Sequence, residues 1–129
     1  MLQGALKGFG ALMAVIIMVP QATTAQMPDA PEGEDVTIVG TVVDLDCKFR
    51  YGLSGENHRT CAQVCADNGL PLVIMGNDGK VYMPVGGGMP GSPQNSRLRE
   101  YAEQEVRIIG TVYEAGGALA LEVGTIERP

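Results

Sequence analysis

Two segments of the chain share one pattern, and this repeat does most to narrow the folds that the chain can adopt. Val36–Asp44 reads VTIVGTVVD and Val106–Glu114 reads VRIIGTVYE. Both are rich in β-branched residues, which favour strands, yet Gly40 and Gly110 interrupt them. Glycine weakens a strand interior unless the strand bends there, as strands do when a sheet closes on itself. The repeat therefore favours a small β-barrel over two ordinary strands.

The other predicted elements follow in an order that fits such a barrel. They are two strands, a short helix and a last strand: Leu70–Met75, Lys80–Val85, Arg97–Gln104 and Ala118–Glu127. The turn sequence Gly76–Gly79 predicts a hairpin between the first two, and Gly86–Pro93 reads as a loop. Asn95 or Ser96 can cap the helix. The order matches the OB-fold, a five-stranded Greek-key barrel, with an insertion after strand one and a short helix before strand four.

The N-terminal segment has the layout of an export signal. Lys7 precedes an apolar run, Phe9–Val19, and small residues ending at Ala25 fit a cleavage site. The run is shorter than the about 20 residues that span a bilayer as a helix. We therefore expect residues 1–25 to be a signal peptide, with an uncleaved membrane anchor as the alternative.

The rest of the chain then divides into a leader and one domain. Residues 26–35 are rich in proline, glycine and acids and read as a flexible leader, and residues 36–129 form the barrel domain. Export places the protein in the periplasm or cell envelope, in contact with the membrane only through an uncleaved N-terminus. The net charge of −6 argues against a nucleic-acid partner, which would need a basic surface.

All three cysteines and the only histidine lie within the nineteen positions 47–65, which span the end of strand one and the insertion after it. Cys47 belongs to the end of that strand. A short helix is predicted over residues 57–69, between good start and stop signals. On it, the spacing i, i+3, i+7 places His58, Cys61 and Cys65 on one face. The topology can therefore bring the four side chains together.

The first interpretation of this cluster is a metal site. Three thiolates and one imidazole are a recognised tetrahedral zinc set, and the same soft ligands suit copper(I). The predicted ligands are Cys47, His58, Cys61 and Cys65. Asp44 or Asp46 can orient the imidazole by accepting a hydrogen bond from it, or replace one thiolate as a ligand. No pattern for catalysis accompanies the cluster, so a non-catalytic metal-binding domain is expected.

The second interpretation is a disulfide, the usual fate of cysteine in exported proteins. A bridge from Cys47 to Cys61 or to Cys65 would pin the inserted helix to the barrel and leave one thiol over. The protein would then be an interaction module or an accessory subunit of an envelope complex. A redox role is a third interpretation, although the chain has no C-x-x-C motif.

One string in the insertion is similar to a known group of proteins. It runs D-x-x-C from Asp44 to Cys47, then H-x-x-C-x-x-x-C from His58 to Cys65, then Gly-Leu-Pro-Leu at residues 69–72. It resembles a group of small exported bacterial proteins with an OB-like barrel and no assigned chemistry. The resemblance implies a fold and a compartment, and it implies no activity.

Overall fold

The computed structural model describes residues 31–129, so the predicted signal peptide and half of the leader lie outside the described residues. The described chain forms five strands: β1 (Glu34–Asp44), β2 (Leu72–Gly76), β3 (Val81–Val85), β4 (Glu105–Ala115) and β5 (Ala118–Glu127). It also forms three short helices: α1 (Leu45–Tyr51), α2 (Arg59–Asp67) and α3 (Asn95–Leu98). No helix in residues 31–129 is long and apolar enough to cross a membrane.

The strands close into a barrel in the order β1-β2-β3-β5-β4. β3 and β5 run parallel, and the other four pairings are antiparallel. β1 serves two neighbours, since residues 34–41 pair with β4 and residues 40–44 pair with β2. This is an OB-like five-stranded barrel, so the predicted fold class is confirmed.

The glycines of the repeated pattern lie where a neighbouring strand comes too close for a side chain. A Cβ added to Gly40 would overlap the carbonyl oxygen of Met75 on β2, and one added to Gly110 would overlap the carbonyl oxygen of Glu122 on β5. The register between β4 and β5 also shifts at Gly110, as in a β-bulge. Close approach of the backbones therefore explains why glycine is needed at both positions.

The hydrophobic core fills the barrel and extends to two of the helices. The strand residues of the core are Ile38, Val42, Leu72, Ile74, Tyr82, Val106, Ile108, Leu121 and Val123. Ala66 of α2 and Leu98 of α3 pack into the same core. The inserted helix α2 is therefore fixed to the barrel by burial of its own residues.

The structure corrects the sequence prediction around strand one. β1 ends at Asp44, and Cys47 lies in the helix α1, which the sequence analysis placed in a strand end and a loop. Asp44 caps this helix by accepting a hydrogen bond from the Cys47 N–H at 3.1 Å. Gly52, in the left-handed conformation with φ of 69°, ends it.

Two other predicted helices differ in their bounds. The helix predicted over residues 57–69 begins only at Arg59, and His58 lies in a preceding 3₁₀ turn. The helix predicted at Arg97–Gln104 ends at Leu98 and continues as a 3₁₀ turn. Asn95 does not cap it, because its side chain instead accepts from the Leu72 N–H and donates to two carbonyl groups near the end of α2.

Candidate metal site

Cys47 is placed by the junction of β1 and α1. The Asp44 carboxylate and the helical first turn hold its backbone, as described above. The Leu45 N–H donates to the carbonyl oxygen of Pro71 at 3.1 Å, which ties the start of α1 to the chain entering β2. Cys47 therefore projects from a short helix that is anchored at its first residues.

Cys61 and Cys65 lie one turn apart on α2, so they share a face of that helix. The adjacent side of α2 is anchored, with Ala62 and Ala66 buried. The Arg99 guanidinium also donates two hydrogen bonds to the Asp67 carboxylate at the end of the helix, at 2.6 and 2.8 Å. The two cysteines are thus presented by an element that is held in place.

The three sulfur atoms converge on one point. The Sγ atoms of Cys47, Cys61 and Cys65 all lie within 4.8 Å of one another, and all three thiols are free. Two sulfur ligands of one tetrahedral zinc ion, each about 2.3 Å from it, lie about 3.8 Å apart. Cys61 is exposed, whereas Cys47 and Cys65 are half-buried. The cluster is therefore close to the spacing of a metal site and is open to solvent on one side.

Asp44 adjoins this cluster from the barrel side. The residue is only 1% exposed, and its Oδ1 caps α1. In the described part of the chain no N–H or O–H donates to its buried Oδ2. Burial alone would raise the pKa of the Asp44 carboxyl, but its interactions with the Cys65 thiol and with the N–H and thiol of Cys47 lower it. Asp44 is therefore an anion at neutral pH.

The same carboxylate acts on the thiols in the opposite direction. Contact with Asp44 is the main cause that raises the pKa of Cys65 to about 12, with burial and nearby charges adding to it. Burial first, and then the charge of Asp44, raise the pKa of Cys47. Both thiols consequently keep their protons at neutral pH unless a cation binds among the sulfurs.

His58 does not belong to the group of converging ligand atoms in residues 31–129. Its Nδ1 lies 2.9 Å from Oε1 of Glu103, and its Nε2 is buried without a hydrogen-bond partner. The Glu103 side chain is 1% exposed, and its Oε2 accepts from the Gly55 N–H at 2.8 Å. The structure thus brings three of the four predicted ligands together, and the role of His58 as the fourth stays a prediction.

The two acidic candidates have different surroundings. Asp44 lies against two of the sulfurs, whereas Asp46 is 41% exposed and lies 3.9 Å from Arg50.

Sequence reasoning missed Glu103, which stands 45 positions from His58 and reads as part of a solvated acidic run. Its unusual φ of 58° leaves no signal in the sequence.

Comparison with known proteins adds no candidate function. No protein-family model, curated protein or solved structure matches the chain. The resemblance to small exported bacterial proteins therefore stays a prediction. The site itself contains three free sulfurs that lie close enough together to hold a metal ion.

Proposed function

We propose that the protein is an exported, non-catalytic metal-binding domain whose three cysteines hold one zinc or copper ion. The convergence of the three sulfurs within 4.8 Å carries this proposal. Export is inferred from the N-terminal sequence, with its apolar run and small residues ending at Ala25. The barrel provides the frame on which the helices α1 and α2 present the ligands.

The chemistry of the donor set supports a soft or borderline ion. Thiolates bind zinc and copper(I) well, and they bind magnesium or calcium poorly. Two separate helices contribute the sulfurs, so the ion would join α1 to α2. Because the ligands converge only in the folded chain, metal binding would also stabilise the fold.

Titration of the reduced chain with Zn²⁺, and separately with Cu⁺ under anaerobic conditions, tests the proposal. We expect one ion per chain. Loss of a residue that only hydrogen-bonds a metal ligand lowers metal affinity by about 10- to 100-fold. We expect a larger loss of affinity in each of three variants: Cys47→Ser, Cys61→Ser and Cys65→Ser. Asp46→Asn is the matched control, because Asp46 pairs with Arg50 outside the cluster. Binding that survives all three serine variants, or no stoichiometric binding, would contradict the proposal.

The second candidate is an interaction module in which a disulfide pins the insertion to the barrel. The convergence of the same three sulfurs supports it as well. Exposed apolar side chains on α1, the helix that carries Cys47, favour a docking role, with Phe49 58% and Tyr51 60% exposed. Intact-mass measurement after alkylation, without reductant, separates the two candidates. One alkylated thiol and a Cys47–Cys61 or Cys47–Cys65 bridge would support the module. Three alkylated thiols in the metal-free protein would exclude it.

A further inference from the structure

The two carboxylate oxygens of Asp44 have different surroundings. Oδ1 accepts a hydrogen bond from the Cys47 N–H, which caps α1. Oδ2 is buried, and in residues 31–129 no N–H or O–H reaches it. Besides the backbone N–H groups of Cys47 and Asp46, the carboxylate interacts with the thiols of Cys65 and Cys47, which are weak donors. One oxygen has a structural role, and the other is buried without a partner in a carboxylate that lies against two of the cysteine thiols.

Metal binding removes even these weak partners. Cysteine binds a metal as the thiolate, so the protons of Cys47 and Cys65 leave when the ion enters. The Asp44 carboxylate would then lie next to two negative sulfurs, and its buried Oδ2 would have no donor. A buried, unpaired charge is strongly unfavourable. A cation bound among the sulfurs would compensate it.

We infer that Oδ2 of Asp44 is the fourth ligand of the ion, so that the site takes a divalent, zinc-like ion in preference to copper(I). This inference rests on the proposed metal site. Three thiolates and one carboxylate carry four negative charges, of which Zn²⁺ compensates two and Cu⁺ only one. Carboxylate oxygen is also a regular zinc ligand, whereas copper(I) favours sulfur.

His58 is the rival for the fourth position. Its Nε2 is buried and unpartnered, and the carboxylate on its Nδ1 is an arrangement common among metal-bound histidines. Neither residue belongs to the group of converging atoms in residues 31–129. Asp44, however, interacts with the thiols of Cys47 and Cys65, whereas the contact found for the His58 ring is with Glu103. The group within 4.8 Å consists of the sulfurs alone, with Asp44 against two of them and Cys61 on the solvent side.

Asp44→Asn is the informative variant. Asparagine caps helices as well as aspartate does, so α1 should keep its start. The variant loses the charge and replaces one carboxylate oxygen by an amide. We expect the affinity for Zn²⁺ to fall by at least about 10-fold while the affinity for Cu⁺ does not fall. With Co²⁺ as a spectroscopic probe, the d–d absorption bands should move in Asp44→Asn and stay in place in His58→Gln.

The results separate the inference from the proposed function. An Asp44→Asn variant that binds Zn²⁺ like the unaltered protein, with the same Co²⁺ spectrum, would overturn the inference and leave the three-cysteine site intact. A spectrum that moves in His58→Gln alone would overturn it too and assign the fourth position to His58. Failure of the unaltered protein to bind Zn²⁺ or Cu⁺ would overturn the proposed function itself.

A measurement on the unaltered chain guards against a variant that fails to fold. Zinc-edge X-ray absorption of the loaded protein should show three sulfurs at about 2.3 Å and one oxygen at about 2.0 Å. The outer-shell scattering of an imidazole should be absent. A clear imidazole signal, or four sulfur-type ligands from paired chains, would contradict the inference.

Discussion

Glu103 connects the cysteine-bearing insertion to the barrel, and its backbone has a left-handed conformation that residues other than glycine rarely adopt. Its φ is 58°, and its buried carboxylate bonds both His58 Nδ1 and the Gly55 N–H. Its own N–H donates to the carbonyl oxygen of Val42 at 2.7 Å. No local pattern could predict these contacts, because they join positions that are far apart in the sequence.

Truncation of Glu103 should therefore destabilise the protein. Glu103→Ala leaves the His58 Nδ1 and the Gly55 N–H without their partner, which we expect to cost about 1–3 kcal/mol. Glu103→Gly loses the same contacts, but glycine accepts the left-handed conformation, so this variant should be about 1 kcal/mol more stable than the alanine variant. Urea unfolding of the three proteins measures both differences. A glycine variant less stable than the alanine variant would show that the backbone at Glu103 is not strained.

Tyr82 gives a prediction for alkaline pH. Burial first, and then the hydrogen bond and charge of Asp78, raise the pKa of Tyr82 to about 12. The folded-state pKa thus exceeds the about 10 of an unfolded tyrosine. The contribution of Tyr82 to stability is therefore complete below about pH 10 and is lost as the pH rises from about 10 through 12. Urea midpoints across this range should fall more for the unaltered protein than for Tyr82→Phe.

Titration of the Tyr82 hydroxyl tests whether burial and Asp78 are what raise its pKa. Asp78→Asn should lower the pKa of Tyr82 from about 12 toward the ordinary value without reaching it, because burial is the larger cause. Tyrosinate absorbance of each protein, with the Tyr82→Phe signal subtracted, isolates this one residue among the four tyrosines. A Tyr82 that titrates near its ordinary pKa in the unaltered protein would contradict the account.

At the scale of elements, the sequence predicted strands better than it predicted the insertion. The turn between β2 and β3, and β5 at residues 118–127, have the predicted positions, because turn glycines and apolar runs are local signals. The strand predicted from Leu70 begins only at Leu72. α1 was missed because it follows β1 without a loop. Asp44 and Gly52 do mark its two ends, but they look equally natural at a strand end and in a glycine-rich loop.

The repeated glycines allow an element-scale test. Gly40→Ala would force a Cβ into the Met75 carbonyl oxygen on β2, and we expect a loss of about 1–3 kcal/mol. Gly91→Ala is the matched control, since its Cβ would meet only the Gly86 carbonyl oxygen at 3.9 Å. It should change stability by less than about 0.5 kcal/mol. Equal urea midpoints for the two variants would mean that the backbone approach at Gly40 does not require glycine.

For the whole molecule, the order of elements was enough to predict the barrel, and the spacing of cysteines was enough to predict a cluster. Cys61 and Cys65 meet through helical periodicity, and Cys47 reaches them because the insertion leaves and rejoins adjacent strands. The surroundings of Asp44 and His58 could not be predicted, because they depend on how the two side chains are buried. The structure shows Asp44 interacting with the thiols of Cys47 and Cys65, and His58 in contact with Glu103.

Joining two helices through one ion should make the stability of the molecule depend on metal. At a free Zn²⁺ concentration about 100 times the dissociation constant, binding to the folded state alone adds about 2.7 kcal/mol. The exposed Cys61 contributes little packing, so Cys61→Ser should unfold like the metal-free protein and should not respond to Zn²⁺. Urea unfolding with Zn²⁺ or with a chelator measures this. Equal responses of the two proteins would argue against an ion held by Cys61.

The metal content of the chain purified from the cells that make it tests the central claim most directly. Elemental analysis should find about one zinc ion per chain, and the three thiols should resist alkylation until a chelator is added. A chain without stoichiometric metal, whose thiols all react at once or are joined in a disulfide, would contradict the claim that the cysteine cluster is a metal site.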